Sequence, residues 1–226
     1  MREIIIDTET TGLSFKRGDR IIELACVELI NHVYTGNNIQ FYCRVEKQIE
    51  ESAIKIHGIT NDFLTTHPTF RESSEKFLNF IEKDKLIIHN AEFDIGFINN
   101  ELGLINLKPI QNEVVDTVEL ARKTLNTRIA NLDYLCKRFS IDLSERKLHG
   151  ALLDCQLLAE VYLELLGGKQ TAMELNEPKK EVNYETKKSD TNVDNFIGVK
   201  ITKDEIRSHK NFIKSIKNAL WEKLDY

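Results

Sequence analysis

Asp7 and Glu9 stand two residues apart at the end of the run Glu3 to Asp7, whose three consecutive isoleucines predict a central strand buried on both faces. A spacing of two on a strand sends both carboxylates to the same side of the sheet. Two such groups held out of water repel, and without a cation one takes up a proton, so the pair suits a divalent metal with oxygen ligands. Strand ends also carry solvated acids in ordinary proteins, and the pair alone decides nothing. Asp94 and Asp154 extend it. Each is followed at helical spacing by apolar residues, Phe97 and Ile98 for the first, Leu157, Leu158 and Val161 for the second, which sets the acid beside a core-facing stripe. A lone carboxylate there is costly unless paired or metal-bound. A helix cap or first-turn acid remains the simpler role open to each. Acids facing inward from separate stretches, with few candidate buried bases, favour a shared metal site.

His149 lies five residues before Asp154 with Gly150 between it and the next helix, a position from which an imidazole can deprotonate a water near neutral pH. A surface loop histidine is the plain alternative. His57, in Ile56-His57-Gly58-Ile59, is expected on a loop reaching the same pocket. His89, beside a strand end, reads as satisfying a local hydrogen bond. Asp116, three residues before Glu119, reads as a helix cap rather than a ligand.

Positioning these groups requires an α/β domain, and short β-rich runs do alternate with helical periodicity. Ile21 to Ile30 and Asn38 to Val45 are the next expected strands, with Thr35-Gly36-Asn37 as the hairpin turn between them. Arg71 to Glu82 predicts a helix, Lys85 to His89 a strand, Phe93 to Leu102 a helix and Glu113 to Val115 a last short strand. Helices follow near Thr117 to Thr124, Asn131 to Phe139 and Ala151 to Leu166, the last stopped by Gly167-Gly168. From Asn176 to Asn195 the chain is almost wholly polar, a flexible linker. Thr202 and Glu205 then form a capping-box pattern, and Ile206, Ile213, Ile216, Leu220 and Leu224 recur at helical spacing with Phe212 and Trp221 beside them. Such a helix on a tether has no core of its own and is expected to dock on a partner, unless it folds back on its own domain.

With 226 residues, 41% hydrophobic and 30% charged, the chain is long enough for one domain with a real core and excludes collagen-like and fully disordered classes. No apolar run approaches a membrane span, nothing resembles a signal-peptide core, and the expected location is the cytoplasm. Cys26, Cys43, Cys136 and Cys155 lack the spacing of a zinc site or disulfide framework and read as buried thiols. Residues 1–168 hold 19 basic against 26 acidic side chains, residues 169–226 12 against 10. A free-standing nucleic-acid binder would carry a basic surface, and this domain does not.

Three stretches in order, Asp7-Thr8-Glu9-Thr10-Thr11-Gly12-Leu13, His89-Asn90-Ala91-Glu92-Phe93-Asp94 and His149-Gly150-Ala151-Leu152-Leu153-Asp154, resemble the three motifs of the DEDD exonuclease superfamily, histidine branch. Thr35-Gly36-Asn37-Asn38, His57-Gly58-Ile59 and the stretch from His149 to Gly168 narrow the resemblance to the epsilon-type proofreading subunits of bacterial DNA polymerase III. It covers residues 1–168. It implies a ribonuclease H-like mixed five-stranded sheet flanked by helices, with the acids converging at one edge. It also implies two magnesium or manganese ions, with Asp7 bridging both, Glu9 and Asp154 completing the first site, Asp94 holding the second and His149 as general base. Asp7, Glu9 and Asp154 would thereby touch the substrate. Thr10, Leu13 and His57 are implied contacts to the terminal nucleotide of a single-stranded DNA 3' end. Ser52, an implied substrate contact, stands where related chains often have a glutamate, so a hydrogen bond to the terminal sugar would be lost, weakened or supplied by neighbouring Glu51. Gln170-Thr171-Ala172-Met173-Glu174-Leu175 resembles a sliding-clamp motif at 169–175, with Gln170, Met173 and Leu175 as its anchors. The remainder divides into a linker at 176–200 and a helix at 201–226 that would hold the polymerase alpha subunit through Ile213, Ile216, Leu220 and Trp221. A small accessory subunit remains open. An RNA-trimming exonuclease and a catalytically silent structural subunit are the competing readings.

Overall fold

The computed structural model describes residues 1–167 and 202–215. The chain divides into two units, Met1–Glu174 and Leu175–Tyr226. In the first, β1 (Arg2–Thr10), β2 (Ile21–Ile30) and β3 (Val33–Tyr42) lead into α1 (Glu51–His57), α2 (Asn61–Leu64) and α3 (Phe70–Ile81). Then come β4 (Lys85–Ile88), α4 (Ala91–Leu104), β5 (Val114–Asp116), α5 (Thr117–Leu125), α6 (Leu132–Arg138) and α7 (Ala151–Leu165). One five-stranded sheet runs in the order β3-β2-β1-β4-β5. β1, β4 and β5 are parallel, and β2 and β3 are antiparallel additions on the other side of β1.

The isoleucine run of β1 is continuous because both faces of this central strand are covered. Ile4 and Ile6 pack with Phe77 of α3 and Phe97, Ile98 and Leu102 of α4. Ile5 points the other way, into a core with Ala25, Val27 and Leu29 of β2 and Cys155, Leu158 and Val161 of α7. The Cys155 Sγ lies 3.8 Å from the Ile5 carbonyl oxygen and 3.4 Å from that of Ala25, so the first turns of α7 sit directly on β1 and β2. All four cysteines are buried free thiols. Among the described residues no helix is long and apolar enough to cross a membrane.

The mixed sheet, the helical order and the strand β2 follow the expectations from sequence, and three local features depart from them. The hairpin turns at Asn31-His32, both left-handed (φ 51° and 62°), the two-residue geometry that matches strand twist. Thr35-Gly36-Asn37 instead lies within β3, where the pairing with β2 shifts register between Val27 and Leu29; β3 accordingly spans Val33–Tyr42, not Asn38 to Val45. A glycine followed by asparagine is a turn signal and a bulge signal alike. Secondly, β1 continues past Asp7 to Thr10. Thirdly, His57 ends helix α1 rather than riding a loop, and Gly58 follows it at φ 75° as the helix stop.

Asp116 is the cap expected from its spacing, and it serves two helices at once. Its carboxylate accepts from Val118 N–H (2.8 Å) at the start of α5 and from Asn90 and Ala91 N–H (3.2 and 3.0 Å) at the start of α4. Asp116→Ala leaves three helix-terminal donors without that partner. It is expected to destabilise the fold by about 1–3 kcal/mol, read as a lower denaturant midpoint at unchanged slope.

In the second unit, α8 (Lys203–Ser215) starts with the expected capping box: Thr202 N–H donates to Glu205 Oε2 (2.7 Å), and Glu205 N–H to Thr202 Oγ1 (3.3 Å). Ile213 is buried, while Ile206 and Phe212 are exposed.

Candidate active site

The parallel pairing of β1 with β4 stops at Ile6 and Ile88. From Asp7 to Thr10 the strand is therefore paired with β2 alone, and the space beyond the end of β4 is open for side chains arriving from both faces. Asp7 and Glu9 point to the α7 face, opposite Ala25 and Glu23. Asp154, in the first turn of α7, comes down on that face. Asp94, in the first turn of α4, arrives from the opposite face, where Thr8 Oγ1 donates to its Oδ1 at 2.7 Å. The acids thus converge at the carboxyl end of the central strand rather than at a lateral edge of the sheet, the usual site of function in such sheets. Donor atoms of Glu9, Asp154 and His149 lie within 4.8 Å of one another.

Asp7, Glu9 and Asp94 have no lysine or arginine at ion-pair distance among the described residues. Burial, then the charges of Asp94, Glu9 and Asp154, pushes the Asp7 carboxyl well above the usual range. Burial, then Glu23, Asp154 and Asp94, brings Glu9 to about 8, and burial brings Asp94 to about 7 against the opposing hydrogen bond from Thr8. Glu23, which sequence reasoning did not single out, is a further buried acid in this row; Gln40 donates to its Oε1 at 2.6 Å. Crowded carboxylates with raised pKa values and oxygen donors alone are the chemistry a hard divalent cation satisfies, so the residues present fit such a metal.

Asp154 differs from the other three. Arg146 Nε and Nη2 donate to its Oδ1 and Oδ2, both at 2.6 Å. No spacing rule pointed to Arg146, because it reaches Asp154 from the loop before α7. His149 lies in that loop, half exposed, with Nδ1 3.4 Å from Asp154 Oδ2. The loop is tied to α1 by a hydrogen bond from His149 N–H to the Ile56 carbonyl oxygen (3.0 Å).

Two clefts of about 240 Å³ each adjoin the acids. One is lined by Asp7, Asp154, Arg146, His149, Asp133 and also His89. His89 makes the local contact expected of it, Nδ1 to Thr117 Oγ1 at 2.9 Å, yet also faces this cleft. The other is lined by Glu9, Thr10, Leu13, Ser52, His57 and Phe93. There Glu50, rather than Glu51, lines the cleft with Ser52, whose Oγ donates to Glu50 Oε2 at 3.4 Å. His57 Nδ1 accepts from Ile59 N–H at 3.0 Å, which fixes the proton of the neutral ring on Nε2. Burial lowers its pKa against the opposing backbone of Thr10, and the buried Nε2 makes no hydrogen bond of ordinary geometry among the described residues. The cleft thus holds a donor waiting for an acceptor. Gly12 also lines this cleft, and a Cβ there would stand 2.8 Å from the Asp19 carboxylate, whose Oδ2 accepts from Ser14 N–H at 2.9 Å.

The sequence profile of the exonuclease family matches residues 4–162. The DNA polymerase III subunit epsilon of Rickettsia felis is 45% identical over 222 residues, 96% of this chain and 97% of that protein. The chain belongs to the epsilon-subunit family of exonucleases. The subunit epsilon of Haemophilus influenzae, 38% identical over 243 residues, spans 98% of this chain and 95% of its own. Among solved structures, exonuclease X in complex with 5' overhanging duplex DNA matches with a TM-score of 0.59 and 25% identity, over 73% of this chain and 90% of that one. The nuclease domain of 3'hExo, a DEDDh family member bound to rAMP, shares the fold at TM-score 0.65 and 21% identity, over 73% and 91% of the two chains. Exonucleases of this superfamily depend on divalent metal.

A divalent metal held by these oxygens would compete with protons for them in this epsilon-type exonuclease. Glu9 and Asp94 titrate above their ordinary values of 4.5 and 3.8, so the folded state binds more protons than the unfolded chain across the interval. The metal-free protein is most stable below about pH 4 with respect to these groups and loses that contribution as pH rises through 7 and 8. Thermal melts in chelator at pH 5.5 and 9 are expected to show the midpoint falling by about 5 °C or more, and added divalent metal is expected to reverse the fall. Metal affinity is expected to weaken as pH drops through the same range.

Proposed function

We propose that the chain is the proofreading 3'-5' exonuclease subunit of a replicative DNA polymerase III, releasing mispaired 3'-terminal nucleotides as 5'-mononucleotides. The observation that carries this reading is the convergence of Asp7, Glu9, Asp94 and Asp154 with His149 at the end of β1, three of the acids having no lysine or arginine at ion-pair distance among the described residues. Asp7, Glu9 and Asp154 would hold one ion and Asp7 with Asp94 a second, magnesium or manganese. Bound there, the ions supply charge stabilisation for in-line displacement at phosphorus. His149 accepts the proton of the attacking water at Nε2, the ring nitrogen turned away from Asp154. The terminal nucleotide occupies the cleft of Thr10, Leu13, Ser52 and His57, where the unpartnered His57 Nε2–H donates to it, with Glu50 at its rim.

Selection operates by melting. A mispaired terminus unstacks at lower cost, and a narrow cleft between α1 and β1 admits a single strand without reading sequence. The acidic balance of residues 1–168 agrees, since weak intrinsic affinity for DNA leaves delivery of the end to the polymerase. The names of the relatives support a place in the polymerase III assembly. In that assembly the alpha subunit would take the C-terminal helix and the beta clamp the motif at 169–175. Ile213 lies in α8; Gln170, Met173, Leu175, Ile216, Leu220 and Trp221 lie outside the described residues.

The test supplies the purified chain with a 3'-mispaired DNA primer, its paired counterpart and a matching RNA, with and without magnesium. The expected order is mispaired DNA fastest, paired DNA slower, and no cleavage without metal. RNA degraded faster than DNA would move the assignment to the RNA-trimming branch, and metal-independent cleavage would end it.

A further inference from the structure

We propose that Arg146 is a resident cation that occupies Asp154 when the metal site is unloaded, and that metal binding requires its guanidinium to withdraw toward Asp133. The inference rests on the reading of Asp154 as a metal ligand. Arg146 and Asp154 are only 7% and 5% exposed, and the guanidinium engages both carboxylate oxygens at 2.6 Å. That geometry is a strong bidentate pair in a desolvated place. It uses the oxygens a metal would use, and it sets a positive charge where a dication would sit beside it. Its third nitrogen, Nη1, meets Asp133 Oδ1 at 2.5 Å. Asp133 is half exposed, stands at the rim of the same cleft and is not part of the acid cluster. It gives the arginine a second anionic seat, so that leaving Asp154 does not strand a charge.

The same guanidinium blocks the base. Nη2 lies 3.1 Å from His149 Nδ1. An arginine nitrogen can only donate, so Nδ1 accepts, and the proton of a neutral His149 ring then sits on Nε2. In that tautomer Nε2 has no lone pair for a water proton. Withdrawal of Arg146 frees Asp154 for the metal and His149 for its tautomeric exchange in one movement, coupling metal loading to the readiness of the base.

Calorimetric titration of manganese alone into the full chain tests this, beside melting in chelator. Arg146→Met is expected to bind manganese about tenfold more tightly and to melt lower without metal, its carboxylate partner now bare; Arg146→Lys is expected to fall between it and the parent. Asp133→Asn removes the second seat and is expected to bind manganese more weakly. Unchanged or weaker binding in Arg146→Met overturns the proposal. Should that variant not fold, unchanged binding in the exposed Asp133→Asn overturns it equally. Asp154→Asn separates this inference from the one beneath it: if binding survives, the metal assignment falls and the arginine role with it. If binding is lost there while Arg146→Met stays at the parental affinity, only the role of the arginine falls.

Discussion

Asp7→Ala is expected to lower exonuclease turnover by about 10³-fold or more while raising the melting temperature of the metal-free protein. Asp7 stands between acids that reach it from both faces of the sheet, and Asp94, Glu9 and Asp154 all oppose its ionisation. Removing its carboxylate relieves that repulsion and at the same time removes the oxygen donor common to both proposed ions. The two effects have opposite signs for stability and function, the pattern of a functional group held at a cost to the fold. Initial rates on a single-stranded primer and melts in chelator read them separately. A variant as active as its parent would remove Asp7 from the metal site, and a metal-free melting point lowered by several degrees would show that the carboxylate is structural.

His149→Ala is expected to reduce turnover by about 10²- to 10⁴-fold and to leave the fold intact, because the ring is half exposed and the one hydrogen bond that ties its residue to α1 is made by the backbone. Manganese binding by calorimetry is expected to stay within a few-fold of the parent, since the carboxylates remain. Imidazole added to the solution is expected to restore part of the rate by entering the space the ring vacates. A loss no larger than that of Lys147→Ala, a neighbouring exposed side chain, would leave the base role to another group.

The acids and the elements that bear them were legible because local pattern encodes them. Three isoleucines before Asp7 dictate a strand with two covered faces, and Asp94 and Asp154 precede apolar residues at helical spacing, so each must enter a core. Asp116 was readable as a cap for the same reason. What escaped was decided at short range by weaker signals or at long range by none. The segment Glu51–His57 forms a helix whose stop, Gly58, gives as good a loop signal as a helix signal. Asn31-His32 took the hairpin turn from the more conspicuous Thr35-Gly36-Asn37 because a two-residue left-handed turn fits strand twist, while the register shift absorbed the glycine.

Residue types and periodicity were enough to predict an α/β domain with carboxylates facing inward from separate stretches, and the order of three motifs carried the resemblance to an exonuclease, since burial patterns and motifs are properties of consecutive residues. The pairing of those charges was a matter for folding in three dimensions. That Asp94 reaches Asp7 from the far face, that Glu23 crowds Glu9 across a strand pair, that Glu50 and not Glu51 meets the second cleft, and that Arg146 lies on Asp154 all depend on distances between segments remote in sequence. Electrostatic energy follows those distances and the solvent excluded between them, and neither is written in the order of the residues.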